Sequence, residues 1–219
     1  MNVLLFGATG MVGQGVLREC LLDGDVTKIV SIVRTATGQR DAKLREIVHQ
    51  DFLDFSSVAA ELTGLDACFY CLGVTSAGMT EDAYRRVTYD FTLAAASLLA
   101  RLNPGMTFVF VSGTGADSTE QGRVMWARVK GRTENALLRL PFKAAYIFRP
   151  AAIQPLHGIT SRTRVYRVLY ALTRPLLPLL RAALPGYVTT TEQLGRAGIG
   201  VVKRGYSKRV LESGDINRV

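Results

Sequence analysis

The sequence predicts an α/β domain of the doubly wound kind, a parallel sheet with helices on both faces. Three observations carry that expectation. Short apolar runs alternate with stretches of helical period along residues 1–155. Those runs, "NVLLF", "KIVSIV", "ACFY", "TFVFV" and "AAYIF", are continuously apolar, as strands covered on both faces must be. The first run passes straight into a glycine-spaced turn and then a helical pattern, "FGATGMVGQGVL".

Each element follows from its own residues. "NVLLF" is the first buried strand. In "MVGQGVLRECLLDG" the residues Val12, Val16, Leu17, Cys20 and Leu21 share one helical face, and Gly24 suits a C-cap. "KIVSIVR" is the second strand, and "KLREIVHQDF" holds a short third with Asp51 just past it. "VAAEL" reads as a helix and "ACFYCLG" as the fourth strand. "EDAYRRVTYDFTLAAASLLARLN" reads as one long helix stopped by Pro104. "TFVFVSGTG" is the fifth strand, "VMWARVKGRTENALLRL" a helix, and "KAAYIFRP" the sixth strand. After Pro150 the alternation loosens. A helical, apolar and basic stretch, "TRVYRVLYALTRPLLPLLRAALPG", is broken by Pro175 and Pro178. "TTTEQLGRAGIGVVKRG" opens with a good cap before a helix. The expected organisation is a single domain over 1–219, with a core at 1–155 and a small helical C-terminal lobe at 156–219.

Composition narrows the function classes. With 219 residues, 48% hydrophobic and 21% charged, the chain can bury one sizeable core and shows no disorder signature. Three cysteines, Cys20, Cys68 and Cys71, are too few for a disulfide scaffold and fit a reducing, cytoplasmic setting. Cys68 and Cys71 form a C-x-x-C, but i and i+3 point to opposite faces of a strand and no second ligand pair follows. They are expected to be core or loop thiols, and no metal site is expected. The N-terminus lacks a signal-peptide pattern, and no uncharged apolar run reaches the ~18 residues of a membrane span. The net charge of +9 is uneven: residues 1–156 carry 16 basic and 15 acidic groups, residues 157–219 carry 11 and 3. Three readings of the basic stretch stay open: a packing lobe with solvated arginines, a cover over a substrate, or a contact through residues 160–185 with an anionic membrane surface or acidic protein. No nucleic-acid reader motif accompanies the charge, so nucleic acid is not expected as a partner.

Gly7, Gly10 and Gly13 stand in G-x-x-G-x-x-G spacing between strand and helix. Gly7 permits a tight turn, Gly10 lets backbone approach a pyrophosphate, and Gly13 lets the helix pack close to the sheet. The helix N-terminus then offers free N–H groups and the positive end of its dipole. No G-K-[ST] follows, so a Walker phosphate loop is excluded. The pattern is a dinucleotide site. Where an NAD site usually has an acid, the second strand ends in Arg34. A guanidinium suits a 2′-phosphate, which favours NADP(H) and leaves NAD(H) possible.

Taken in order, "FGATGMVGQGVL", Asp51, "YCLG", "FVFVSGTGA", "WARVKG" and "IFRPA" resemble the short-chain dehydrogenase/reductase superfamily of NAD(P)-binding Rossmann proteins. The "VKGRTE" context is most similar to its atypical branch, the NmrA-like and Tat-interacting-protein-like proteins. The resemblance covers about residues 1–155, and later only "VTTTEQLGRAGI". It implies that Gly7, Thr9, Gly10, Met11, Val12 and Gly13 line the pyrophosphate and that Arg34 holds the adenosine phosphate. Asp51 and Phe52 would flank the adenine, and Leu72 and Gly73 would pass beneath its ribose. Lys130 would bond the nicotinamide ribose, and Pro150, Ala152 and Ile153 would run past the nicotinamide. Ser112 lies where the catalytic serine is expected, to within one or two residues, with Gly113 and Thr114 beside it.

The departure is Trp126, which stands where the superfamily's Tyr-x-x-x-Lys has its acid. In that motif the lysine lowers the phenol pKa, and both share a helical face at i and i+4. An indole N–H can donate a hydrogen bond but has no accessible acid–base equilibrium. Trp126 is therefore read either as a catalytic-site replacement or as a packing residue. Tyr84, Tyr89 and Asp90 are other ionisable candidates that nothing in the sequence places. His49 and His157 are isolated, and "VSGTG" lacks the leading glycine of a nucleophile elbow. Two functions remain: an NADP(H)-dependent oxidoreductase or epimerase-like enzyme acting on an unknown small molecule with an altered site, or a non-catalytic NADP(H)-binding redox sensor or interaction module.

Overall fold

A computed structural model describes residues 1–160 and 186–219. The basic stretch broken by Pro175 and Pro178 lies outside the described residues, and so does most of the surface suggested for an anionic partner.

The main sheet has seven strands, all parallel, in the order β3-β2-β1-β4-β5-β6-β9. Its strands are β1 (Asn2–Phe6), β2 (Lys28–Val33), β3 (Leu44–Val48), β4 (Ala67–Tyr70), β5 (Thr107–Val111), β6 (Ala144–Arg149) and β9 (Val210–Glu212). The chain reverses its direction of travel between β1 and β4, the switch point at which ligands meet such sheets. Alternate strand residues feed two cores. Leu4, Phe6, Val30, Tyr70, Phe108 and Phe110 face one side, where Ala95, Ala96 and Leu99 of α3 (Phe91–Leu102) and Leu137 of α4 (Met125–Leu138) cover them. Val3, Leu5, Ile29, Phe69, Val109 and Phe148 face the other, under Val16, Leu17 and Cys20 of α1 (Met11–Leu22) and Leu194, Ala197 and Val201 of α5 (Thr191–Arg204). This is the doubly wound Rossmann arrangement that the unbroken apolar runs predict.

Several local details differ from the expected elements. The "VAAEL" segment is a 3-10 turn, Ser56–Leu62, entered through Asp54, whose carboxylate accepts from the Ser56 N–H at 2.8 Å. The long helix begins as α2 (Glu81–Arg85), capped by the Thr80 hydroxyl, and reaches α3 through a π-helical turn at Arg86–Asp90. Buried Thr92 donates to the Thr88 carbonyl there at 2.7 Å, so a side chain helps occupy a backbone acceptor in the widened turn. Asn103 ends α3: its amide accepts from Leu65 N–H at 3.0 Å and donates to Leu62 O at 2.8 Å, tying the helix end to the 3-10 segment.

The described part of the C-terminal region is woven into the core, which blurs the boundary expected at residues 155 and 156. A parallel ribbon pairs β7 (Ala152–Gln154) with β8 (Val188–Thr190). The Thr190 hydroxyl caps α5, accepting from Gln193 N–H at 2.9 Å. β9 then adds the seventh strand, and α6 (Ser213–Ile216) closes the chain. Helix α5 lies on α1 because glycines meet at the crossing. A Cβ on Gly15 would fall 2.5 Å from the Thr191 carbonyl oxygen, and one on Gly195 would fall 2.6 Å from Glu19 Cγ. The buried Glu19 carboxylate also takes an ion pair from Arg196 at 3.1 Å. Gly15→Ala should therefore lower stability by about 1–3 kcal/mol, the usual cost of overpacking. Gly24→Ala, whose Cβ meets nothing within 4 Å, should cost far less. Paired chemical-denaturation curves check the contrast.

Candidate functional site

The site is built at the carboxyl ends of β1, β2, β4, β5 and β6. Gly7 follows β1 with φ +80°, a backbone conformation that favours glycine. A Cβ there would lie 2.7 Å from Cys71 C and Leu72 N at the end of β4, so the loop after β1 rides directly on the loop after β4. A Cβ on Gly13 would lie 2.0 Å from the Gly7 oxygen. Gly10 N–H donates back to Gly7 O at 2.9 Å, and the Gln14 amide donates to Thr9 O at 3.1 Å. Gly10 is the N-cap of α1 and no side chain caps the helix, whose first turn holds no acid. The unused N–H groups of Met11 and Val12, in a cradle kept free of side chains, match a bound diphosphate.

Arg34 stands exposed just after β2. Among the described residues its guanidinium has no hydrogen bond or ion pair, while its carbonyl accepts from the Gln50 amide. Asp51 is exposed and its carboxylate accepts from Leu53 N–H at 2.9 Å. Phe52 is a core residue, with ring centroids 6.3 Å from Phe6 and 5.8 Å from Phe91, so only its backbone is left for an adenine. The buried His49 holds this loop: its Nε2 lies 2.6 Å from Asp51 O and 2.8 Å from Asp54 O, and its ring stacks on Phe55. Leu72 packs on the core, and Gly73 is exposed with open space around it. Buried Pro150 accepts from Thr114 N–H at 3.1 Å. Ala151 N–H donates to Ser213 Oγ at 2.9 Å, and Ile153 pairs with Thr189 in the ribbon. The stretch expected beside a nicotinamide is thus tied to the β5 loop and to the late ribbon, which the sequence does not reveal.

Helix α4 brings Trp126 and Lys130 to β5 and the loop after it. Trp126 is half-buried, and its indole lies 3.4 Å from where a Cβ of Gly115 would be, one residue past Thr114. Lys130, one turn on, points its Nζ over the Phe110 ring, 5.8 Å from the centroid. Burial pushes the Lys130 ammonium down to about 8, and only Glu134 pulls it back. Ser112 does not present a free hydroxyl: its Oγ donates to the Glu134 carboxylate. The exposed Thr114 hydroxyl has no hydrogen-bond partner among the described residues. Glu134 is 1% exposed and also receives Arg149, whose Nε lies 3.2 and 3.0 Å from its two oxygens. Glu134 and Arg149 lie inside the "VKGRTE" and "IFRPA" stretches, but the resemblance gives neither a role; an acid four residues after Lys130, in a helix with an apolar face, is a signal that could have marked Glu134. Tyr84 is buried, Tyr89 stacks under Arg132 at 4.9 Å, and Asp90 pairs with Arg85 at 3.1 Å.

The cysteines behave as core thiols. Cys20 and Cys68 are buried and Cys71 half-buried; burial pushes the Cys20 thiol up to about 12, and raises the other two further. No cluster of three metal-ligating side chains occurs among the described residues, and none of their helices is long and apolar enough to cross a membrane.

A glycine cradle without side chains, at the switch point of a doubly wound parallel sheet, defines a dinucleotide-binding protein. The comparisons make this specific. The NAD(P)H-binding family model matches residues 7–139, the span from the glycine loop through α4. The chain is 33% identical over 159 residues to Protein fmp52, mitochondrial, of Emericella nidulans, covering 69% of this chain and 66% of that protein. It is 29% identical over 155 residues to Protein HTATIP2 of Rattus norvegicus, covering 69% of this chain and 62% of that protein. The chain thus spans slightly less than two thirds of these relatives' length. Among solved structures, DesIV, a dTDP-glucose 4,6-dehydratase of Streptomyces venezuelae with NAD and TYD bound, superposes with a TM-score of 0.68 at 17% identity. That match covers 97% of this chain and 75% of DesIV. A short-chain dehydrogenase/reductase family oxidoreductase of Burkholderia thailandensis also gives 0.68, at 14% identity over 100% of this chain and 93% of that one. The chain belongs to the NAD(P)H-binding family.

The half-buried Lys130 gives the site a pH signature. The folded protein releases the Lys130 proton near 8, the unfolded chain only near 10.5. Between those values the unfolded state holds more protons, so this residue's contribution makes stability rise with pH across the window. Below it the charged ammonium weighs against folding in full. Lys130→Met should remove that rise, seen as the difference between wild-type and variant urea-unfolding curves through the window.

Proposed function

We propose that this chain binds NADP(H) and acts as an oxidoreductase or epimerase-like enzyme with an altered Tyr-x-x-x-Lys site. The observation that carries the reading is that Lys130 lies over Phe110 of β5 while Trp126, one turn before it, lies against Gly115 in the loop after β5, next in sequence to Thr114, whose hydroxyl is unengaged among the described residues. The residues fit the dinucleotide: Gly7, Gly10 and Gly13 leave room for its diphosphate, and Thr9, Met11 and Val12 border it. Arg34 would bond the 2′-phosphate, Asp51 and the Phe52 backbone would flank the adenine, and Leu72 and Gly73 would lie beneath its ribose. Lys130 would donate to the nicotinamide ribose hydroxyls, with Pro150, Ala152 and Ile153 along the ring. A bound nicotinamide supplies or accepts hydride. Thr114, in place of the expected Ser112, would hold a substrate carbonyl, because Ser112 already serves Glu134. The Trp126 N–H would add a second donor to that oxygen without giving up its proton.

Trp126 also supports a second reading, a non-catalytic NADP(H)-binding redox sensor or interaction module. The cytoplasmic setting rests on cysteine usage alone; the fungal relatives are named mitochondrial.

Two measurements test these readings. Arg34→Ala should weaken NADPH binding by about 1.5–3 kcal/mol, the range for a hydrogen bond to a charged group, and leave NADH binding nearly unchanged. Equal losses in calorimetric titrations would remove the 2′-phosphate assignment. In a carbonyl-substrate screen followed by NADPH absorbance, Trp126→Tyr should raise turnover by about 10²–10⁴, the range for a positioned general acid. Brisk wild-type turnover that the variant does not improve would defeat the sensor reading; absence of turnover in both proteins would favour it.

A further inference from the structure

The buried network around Glu134 has a role that the cofactor and carbonyl assignments leave unused. Glu134 sits one helical turn after Lys130, on the same face of α4. It is 1% exposed and accepts from three sources: the Ser112 hydroxyl after β5, and the Nε and Nη2 of Arg149 at the end of β6. Arg149 is also held on its other side. Its Nη2 donates to Ser118 Oγ at 2.7 Å, and its Nη1 lies 3.7 Å from Glu212 of β9. One carboxylate therefore joins α4 to the carboxyl ends of two strands.

Lys130 needs such a neighbour. Its Nζ lies over the Phe110 ring, where an ammonium loses part of its hydration. Of the other charges on the elements packed there, Arg86 has no ion pair among the described residues and is exposed to solvent. Arg85 pairs with Asp90 at 3.1 Å, Arg128 with Glu81 at 2.6 Å, and Arg132 covers Tyr89. Among the described residues, the Glu134 carboxylate opposes the downward push of burial on Lys130.

We propose that Glu134 is a positioning residue for Lys130: clamped by Arg149 and Ser112, it fixes a negative charge one turn away and retains the lysine as a cation in an apolar seat. Only the consequence for cofactor affinity rests on the assignment of Lys130 to the nicotinamide ribose. The electrostatic coupling itself stands without any ligand. The clamp matters because a free glutamate at this position would turn toward water, whereas Arg149 and Ser112 hold the carboxylate inward. The same contacts hold Ser112 in place, two residues before Thr114, so the clamp also limits where the Thr114 hydroxyl can go.

The test reads the Lys130 amine directly, by competitive labelling of the whole protein with acetic anhydride over a pH series and peptide mass spectrometry. The wild-type midpoint is expected near 8. Glu134→Gln should lower it by about one pH unit, the scale of a close opposite charge. Since Glu134→Gln leaves a buried Arg149 without its counter-ion, the double variant Glu134→Gln with Arg149→Met removes both charges together. It should show the same downward shift. An unchanged midpoint in either folded variant would overturn the proposal. Failure of both to fold would overturn it too, because the pair would then be a folding requirement and not a tuner of Lys130. NADPH titrations of the same proteins separate the two layers. If the midpoint shifts and no NADPH binds to wild type, the coupling stands and the cofactor reading falls. If NADPH binds, its affinity should begin to drop at lower pH in Glu134→Gln than in wild type.

Discussion

The molecule depends on one backbone contact: the Gly7 carbonyl occupies the space where a side chain of residue 13 would begin, 2.0 Å from that hypothetical Cβ. No rotamer change could relieve such a clash, because both partners are main chain. The contact presses the first turn of α1 onto the end of β1. Gly7 in turn lies 2.7 Å, at its own hypothetical Cβ, from the chain leaving β4. Three segments thus converge with no side chain between them. What emerges is a shallow seat of backbone N–H groups at the reversal of the sheet, which is the physical content of the phosphate-binding loop. The far face of α1 is fixed by the same means, through Gly15 and Gly195 at the α5 crossing. The late part of the chain is needed to hold the early part in place.

The opposite half of the site repeats this logic with different partners. A Cβ on Gly131 would fall 1.7 Å from Asp117 O, so the loop between β5 and α4 lies directly on the helix beside Lys130. Asp117 organises that loop: its carboxylate accepts from Thr119 N–H, Thr119 Oγ and Gly122 N–H at 3.0, 2.6 and 2.6 Å, and these bonds lower its pKa. Glu134 and Arg149 then fix the helix to β6. With α4 located in both rotation and height, Trp126 and Lys130 have little freedom in where they project.

Much of this was legible in the residues. Continuous apolar runs announced a sheet covered on both faces, and the glycine spacing between strand and helix announced the dinucleotide loop. Arg34 stands out in the sequence because it ends the second strand where an NAD site usually has an acid. Other features were hidden for physical reasons. β9 is three residues long and belongs to the sheet only because β6 offers an open edge; "VLE" carries no period. The β7–β8 ribbon is equally short, and its pairing spans more than thirty residues of chain. Phe52 looked available to a ligand beside Asp51, yet an aromatic cluster with Phe6, Phe55 and Phe91 claims its ring. Ser112 matched the position of a hydroxyl by order along the chain. Which way it faces is decided by Glu134, twenty-two residues away. Burial of an ion pair is a property of the assembled fold, and neither partner's neighbours in sequence report it.

Binding and chemistry are separable in this architecture because different parts of the chain carry them. The cradle for the dinucleotide is made of main-chain groups, held by glycines whose replacement would disturb the fold itself. The proton chemistry of a Tyr-x-x-x-Lys site, by contrast, rests on a single phenol at an accessible helix position. Residue 126 of this chain is an indole, which lays an aromatic surface against Gly115 and carries an N–H donor. A dinucleotide held by main-chain groups does not depend on the side chain at residue 126, and the Glu134–Arg149 pair fixes α4 to β6 in either case.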